Sequence, residues 1–300
     1  MLQSFDERNR DILVNVNGTL SHHSEARISP FDSVVQGGDA VWEGLRLYDG
    51  CIFRLTQHLA RLRASAKALA FTDIPSDEEI TKELRRTLEA NQMTDGVHIR
   101  LTLTRGVKIT SGMDPRLNKS GPTLIIVAEF KPPVYDTCGL TLMTSGIRRI
   151  PPDCLDQKIH SCNLLNSILA KIQANAAGAD DALMLDYEGR VAETNATHLF
   201  FVIDGELQTP DTESCPEGVT RSTVLKICSE QGIPARVADI TLASVYKASE
   251  VFCTGTMGEL AAVSVIDGRT IGDGEPGPLT RKLGELYSQV TRSEGERVVG

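Results

Sequence analysis

The groups in this chain that can do chemistry are not gathered in a common catalytic motif. GxSxG, HExxH and the P-loop are absent, and Gly37-Gly38 lacks the strand–turn–helix context of a dinucleotide fingerprint. The sequence offers separated groups instead. Gly218-Val219-Thr220-Arg221 precedes a helical pattern that runs through Cys228. A helix start there presents unsatisfied N–H groups and a positive dipole end, which suits a phosphate; an ordinary N-cap by Thr220 fits the same residues. Arg61, in Leu55-Thr56-Gln57-His58-Leu59-Ala60-Arg61-Leu62, carries a planar fork that matches a phosphate dianion better than a lysine point charge. It reads equally as one solvated charge on an amphipathic helix. Arg46 and Arg100 are forks suited to a substrate carboxylate or to structural ion pairs. Glu193 lies on a strand pattern, where a glutamate most often faces solvent, and Thr254-Gly255-Thr256 is a short turn with two hydroxyls. Lys158 and His160 stand two apart, so in an extended stretch they share a face about 6.5 Å apart. Only the lysine can form an imine with an aldehyde.

The elements that must position these groups divide at a seam. Leu124–Phe130 is a β-rich run, Lys131-Pro132-Pro133 continues neither a helix nor a central strand, and Leu140–Thr144 resumes an alternating pattern. The pattern predicts a small N-terminal domain over 1–130, a linker at 131–138 and a larger domain over 139–300. Before the seam come strands at Ile12–Val16, Ala40–Tyr48 and Val97–Thr104, helices at Thr56–Ala68 and Asp77–Asn91, and turns at Asn17-Gly18 and Asp49-Gly50. After it come a helix at Asn163–Ala176, a hairpin of Asp181–Asp186 with Val191–Val202, a helix at Arg221–Gln231, strands at Glu250–Thr254 and Ala262–Ile266, and a helix from Leu279. The class is α+β.

With 300 residues, 41% hydrophobic and 24% charged, the chain can bury a sizeable core in one large or two modest domains. A net charge of -9 argues against nucleic acid, which needs a concentrated basic face. The opening MLQSFDERNR is polar, and no apolar run approaches the roughly 18 residues that span a bilayer, so the expectation is a cytoplasmic protein without membrane contact. Seven scattered cysteines form no CxxC pair and no metal-spaced cluster, so they read as buried thiols, with neither disulfide framework nor metal site.

Taken in order, the patterns resemble class IV aminotransferases, the fold-type IV enzymes that use pyridoxal 5'-phosphate (PLP), such as branched-chain and D-amino acid aminotransferases. Trp42-Glu43-Gly44-Leu45-Arg46 is similar to the family's Phe-Glu-Gly-Ile-Arg, and His58-Leu59-Ala60-Arg61-Leu62 to its His-x-x-Arg-Leu. Gly218-Val219-Thr220-Arg221 resembles its Gly-Ile-Thr-Arg turn, Thr254-Gly255-Thr256 its Thr-Gly-Thr turn, and Val191–Thr197 the strand with its cofactor glutamate. The resemblance implies a two-domain architecture, a small N-terminal α/β sandwich and a larger β-rich C-terminal domain, assembled as a homodimer. It implies that Arg61, the backbone of Val219 and Thr220, and Thr256 bind the PLP phosphate. By the same resemblance Glu193 faces the pyridine nitrogen and keeps it protonated, so that the ring serves as an electron sink.

The lysine region departs from the family pattern. Pro151–Asn166 resembles a run ending Lys-Ser-Leu-Asn-Tyr-Leu-Asn, and laid down without gaps His160 falls on the family lysine. The family varies the length of this stretch, so Lys158 is the expected Schiff-base residue, suited to the task if desolvation and a nearby cation lower its pKa. His160 is then a proton carrier or a polar neighbour. Gly37, His98 and Leu164 stand where branched-chain enzymes tend to carry tyrosines. The expected activity is transfer of an amino group between an amino acid and a 2-oxo acid, with branched-chain-like substrates and Arg46 and Arg100 as carboxylate ligands. The alternatives are an aminodeoxychorismate lyase-type PLP enzyme, or a lysine-less PLP-binding homologue without transaminase activity.

Overall fold

The computed structural model describes residues 3–133, 135 and 139–300, and the chain divides into two compact units. The first holds the described residues up to Pro132 together with Ile159–Asn163 and Thr291–Gly300, and the second those of Pro133–Lys158 and Leu164–Val290. Of the linker expected at 131–138, positions 134 and 136–138 lie outside the described residues. No helix among the described residues is long and apolar enough to cross a membrane.

The first unit contains β1 (Leu13–Val16), β2 (Thr19–His22), α1 (Ser33–Gly37), β3 (Ala40–Tyr48), β4 (Cys51–Phe53), α2 (Leu55–Ala68), α3 (Asp77–Ala90), β5 (Val97–Thr104) and β6 (Thr123–Phe130). These strands form one sheet in the order β4-β3-β5-β6-β1-β2, and a last strand, Gly295–Arg297, adds antiparallel to β4 at the edge. Two hairpin turns follow from residues that accept positive φ: Asn17-Gly18 at 48° and 79°, and Asp49-Gly50 at 44° and 75°. Alternation along β3 sends Val41, Leu45 and Leu47 into a core shared with Leu59 and Leu62 of α2 and Ile80, Leu84 and Leu88 of α3. Glu43 has the same parity and is a fully buried carboxylate. The opposite face of β3 pairs Trp42 with Thr102, Gly44 with Arg100 and Arg46 with His98 of β5. α3 is fixed at its start by a capping box between Ser76 and Glu79.

The second unit contains β7 (Leu140–Thr144), α4 (Pro152–Leu155), α5 (Leu165–Ala176), β8 (Asp181–Leu185), β9 (Val191–Thr194), β10 (His198–Ile203), β11 (Glu206–Thr209), α6 (Val219–Glu230), β12 (Ala235–Val237), α7 (Leu242–Val245), β13 (Glu250–Gly255), β14 (Glu259–Ile266) and β15 (Arg269–Thr270), followed by α8 (Pro278–Ser293). Its sheet runs β12-β11-β10-β13-β14-β7-β8-β9, with β15 on β14. Leu142, Leu183, Leu199, Phe201, Val251 and Val263 lie in its core.

Two expectations are corrected. The strand expected over Val191–Val202 is broken between β9 and β10, because the Thr194 hydroxyl accepts from the N–H groups of Ala196 (3.1 Å) and Thr197 (2.8 Å), closing a local turn. The helix expected from Asn163 starts at Leu165. The residues before it are drawn into the first sheet, where the Cys162 N–H donates to the Ala40 carbonyl at 2.8 Å.

Candidate active site

In the first unit the site grows from Glu43. β3 carries this carboxylate inward, and α2 places His58 and Arg61, three residues apart and hence on neighbouring faces, above it. Arg61 donates through Nε to Glu43 Oε1 at 2.8 Å and through Nη2 to Oε2 at 2.7 Å, a bidentate fork. His58 Nδ1 lies 2.6 Å from Oε2, and His160 Nδ1 lies 3.4 Å from Oε1. Burial pushes the Glu43 carboxyl up, but the charge of Arg61 and the hydrogen bonds from Arg61, His160 and His58 outweigh it and hold the group well below the usual range.

His160 is part of this cluster. Its Nδ1 is 2.6 Å from the Trp42 carbonyl, which can only accept, so Nδ1 carries the hydrogen. Its N–H donates to Ser65 Oγ at 3.0 Å, and its carbonyl accepts the Trp42 N–H at 3.0 Å. Its ring stacks on Trp42 with centroids 4.3 Å apart. Burial holds it below the ordinary histidine value, against the opposing pull of Glu43. Lys158, two residues earlier, is exposed, and its N–H donates to Asp156 Oδ1 at 2.9 Å. The expected desolvation of the lysine is not found in the chain by itself.

On the other face of the same sheet, the Arg100 guanidinium lies 3.5 Å from the centroid of the Trp42 ring and its Nη2 is 3.8 Å from Cys162 Sγ. Arg46 is buried, its guanidinium 5.6 Å from the Tyr48 ring. His98, paired across the strands with Arg46, has no hydrogen-bond partner at either ring nitrogen among the described residues. Burial, with the charges of Lys131, Arg46 and Arg100, pushes it down to about 3, so it is neutral at physiological pH.

The second unit gathers the other expected residues. Glu193, on β9, is buried and pairs with Arg149 Nη2 at 2.8 Å. Arg149 is itself held by Asn166 Oδ1 (3.3 Å), Ser167 Oγ (3.0 Å), Gln157 Oε1 (3.1 Å) and the Ser214 carbonyl (3.3 Å). His198 Nε2 lies 3.8 Å from Glu193 Oε2 and donates to the Pro216 carbonyl at 2.8 Å. The same ring stands 2.6 Å from where a Cβ on Gly218 would sit, and His198 pairs with Thr254 across β10 and β13.

His198 thus connects Glu193, the start of α6 and the Thr-Gly-Thr strand end. Val219 and Thr220 are buried at that start, and Gly218 supplies no side-chain cap. Thr254 Oγ1 is buried with no partner among the described residues, and Thr256 sits in the turn that follows β13. Arg221 is structural: its Nε donates to Thr209 Oγ1 at 3.2 Å and its Nη2 to the Pro210 carbonyl at 2.7 Å, pinning α6 to the end of β11.

Sequence reasoning missed Arg149, and nothing in Arg148-Arg149 marks which of the two turns inward. It also missed the meeting of Glu193, His198 and Cys215, whose ligand atoms all lie within 4.8 Å of one another. Arg149 pairs with that carboxylate, Pro216 takes the imidazole N–H and the Cys215 thiol donates to the Asp211 carbonyl at 3.7 Å, so each of the three has a partner outside the group. Cys215, Cys228 and Cys253 are buried as expected, whereas Cys51 and Cys162 are half-buried and Cys154 is exposed.

A family model described as amino-transferase class IV matches residues 40–266, and the chain belongs to that family. It is 50% identical over 96% of its length to branched-chain-amino-acid aminotransferase-like protein 2 of Arabidopsis thaliana, and covers 52% of that protein. The chain thus spans about half the length of this relative. It is 41% identical to a putative branched-chain-amino-acid aminotransferase of Methanocaldococcus jannaschii, over 95% of this chain and 98% of that one. Among solved structures, the PLP form of the branched-chain amino acid aminotransferase of Thermobaculum terrenum superimposes with a TM-score of 0.85 at 27% identity, covering 97% of this chain and 100% of that one.

Proposed function

We propose that this chain is a PLP-dependent aminotransferase that moves an amino group between an amino acid and a 2-oxo acid, with branched-chain-like amino acids as substrates. One observation carries the reading. Around His198 the second unit gathers a buried carboxylate fixed by Arg149, the uncapped buried start of a twelve-residue helix, and the hydroxyl of Thr254, which has no partner among the described residues. A helix start without a cap needs an acceptor for its N–H groups, and a phosphate supplies it. These residues fit PLP.

Bound PLP supplies an aldehyde that captures an amino group and a ring that takes up the electron pair released at the substrate Cα. The N–H groups of Val219 and Thr220 and the hydroxyl of Thr256 would hold the phosphate, and the family resemblance assigns Arg61, whose Nε and Nη2 are on Glu43, as a further cation for it. Glu193, kept in place by Arg149, would accept from the pyridine nitrogen. Lys158 would be the residue to hold the aldehyde, and its amine would be the group that can carry a proton at the substrate Cα. Arg46 and Arg100 are the chain's cations for a substrate carboxylate. The names of the similar proteins support the branched-chain preference.

The proposed assembly is a homodimer. Leu165, Ile168, Leu169 and Ile172 line one side of α5 at helical spacing and are exposed, an apolar stripe that a second copy of the chain would cover. The proposed location is the cytoplasm, supported by six described cysteines that are all free thiols.

The test is turnover of the purified chain with PLP, 2-oxoglutarate and single amino acids. Glutamate formed from leucine, isoleucine or valine is the expected result. Glutamate formed only from other amino acids removes the substrate preference, and none from any amino acid removes the aminotransferase.

A further inference from the structure

The residue that stands in the family lysine's place in an ungapped register is already employed elsewhere. His160 is held within the first unit by Nδ1–H on the Trp42 carbonyl, the same nitrogen facing Glu43 Oε1, N–H on Ser65 Oγ, and a ring stacked on Trp42. The backbone around it is stitched to the part of β3 that β4 does not cover, since β4 pairs only with Leu47 and Tyr48. Trp42 donates to the His160 carbonyl at 3.0 Å, Cys162 donates to the Ala40 carbonyl at 2.8 Å, and the Trp42 indole donates to the Ser161 carbonyl at 3.0 Å. The carboxylate that His160 faces is the one that grips the Nε and Nη2 edge of Arg61. A guanidinium is a rigid planar fork, so fixing one edge fixes the direction of its other N–H groups.

We infer that His160 is a positioning residue for two parts of the cofactor machinery at once, and this rests on the PLP reading above. Through its Nδ1–H it clips the segment that follows Lys158 onto β3, which confines the lysine α-carbon to within two residues of a fixed point. Through Glu43 it sets the plane of the guanidinium of Arg61. It neither replaces the lysine nor touches the cofactor. The apparent vacancy in the ungapped register is a shift of duty: the lysine stands two residues upstream, and the imidazole is the clip.

Two substitutions separate donor from ring. His160→Asn keeps an N–H donor near the position of Nδ1 and loses the ring, whereas His160→Phe keeps the stack on Trp42 and loses the donor. For each, in the full chain, three quantities are measured: affinity of the cofactor-free protein for PLP, its affinity for pyridoxal, which lacks the phosphate, and the fraction of PLP that borohydride fixes to Lys158. The ratio of the two affinities isolates the phosphate contribution, which a general loss of stability would not change. His160→Phe is expected to lower that ratio about tenfold or more, the size of a charged hydrogen bond, and to reduce labelling of Lys158. His160→Asn is expected to stay within about threefold of the unaltered chain. If His160→Phe does not fold, Ser65→Ala, which removes the acceptor of the His160 N–H, takes its place and is expected to lower the ratio in the same direction.

A folded His160→Phe with an unchanged ratio and full Lys158 labelling overturns the inference while the PLP reading stands. A loss in His160→Asn as large as that in His160→Phe also overturns it, since the donor that the asparagine keeps would then not be what counts. An unaltered chain that binds PLP no better than pyridoxal overturns the PLP reading itself, and this inference with it.

Discussion

Glu43 and Glu193 are carboxylates that the fold buries, and each is matched by an arginine within the same unit. Removing one partner of such a pair leaves an uncompensated charge, so Arg149→Met is expected to lower stability by about 3 kcal/mol, read from urea unfolding. Glu193→Gln keeps the shape and removes the charge that a pyridine nitrogen requires; turnover is expected to fall by about 100-fold or more while PLP retention persists. Retained turnover in Glu193→Gln would remove the assigned role. His98 supplies the pH dependence. In the folded chain it titrates at about 3, below its ordinary value, so the unfolded chain takes up a proton that the folded chain refuses. Its contribution is therefore full above about pH 6.5 and is lost as pH falls toward the folded value, the loss amounting to about 2 kcal/mol at pH 5. Unfolding curves at pH 7.5 and pH 5 should differ by less in His98→Gln than in the unaltered chain. An identical difference would show that this histidine is not the source.

At the level of elements, the joint between β10 and α6 is sensitive to a single methyl group. Gly218 has a φ of -71°, which any residue accepts, so its need for glycine is steric: a Cβ there would stand 2.6 Å from the His198 ring. Gly218→Ala is expected to weaken PLP binding by about tenfold, and His198→Asn in the same chain to restore part of it by making room. No recovery in the double variant would place the constraint elsewhere. The long strands β3 and β5 were legible to the residue, because alternation over eight or nine positions is a strong signal. The three- and four-residue strands β2, β4, β11 and β12 were not, since so few positions carry no period. The Gly218–Arg221 turn, the strand bearing Glu193 and the helix of Arg61 were readable as ordered patterns. The partners Arg149 and Glu43 were not assigned a role, because their importance arises from contacts between segments far apart in sequence. The contacts of His160 were hidden for the same reason: its partners Trp42 and Ser65 lie 118 and 95 positions away.

At the level of the whole molecule, two sheets of different strand order each carry their own core, and short segments of the second half of the chain complete the first. The stripe of Leu165, Ile168, Leu169 and Ile172 is the largest run of exposed apolar side chains at helical spacing among the described residues. Ile168→Glu with Leu169→Glu is expected to convert a dimer into a monomer in sedimentation equilibrium, with each copy still folded. A dimer that survives both charges would move the interface to another face. With histidine in the family lysine's register, the chain is proposed to work through the lysine two residues earlier. The most direct measurement is borohydride reduction of the PLP-loaded chain followed by peptide mass mapping. The expected result is a phosphopyridoxyl adduct on Lys158, and none in Lys158→Ala. An adduct on a different lysine, or PLP retained with no lysine adduct, would contradict it.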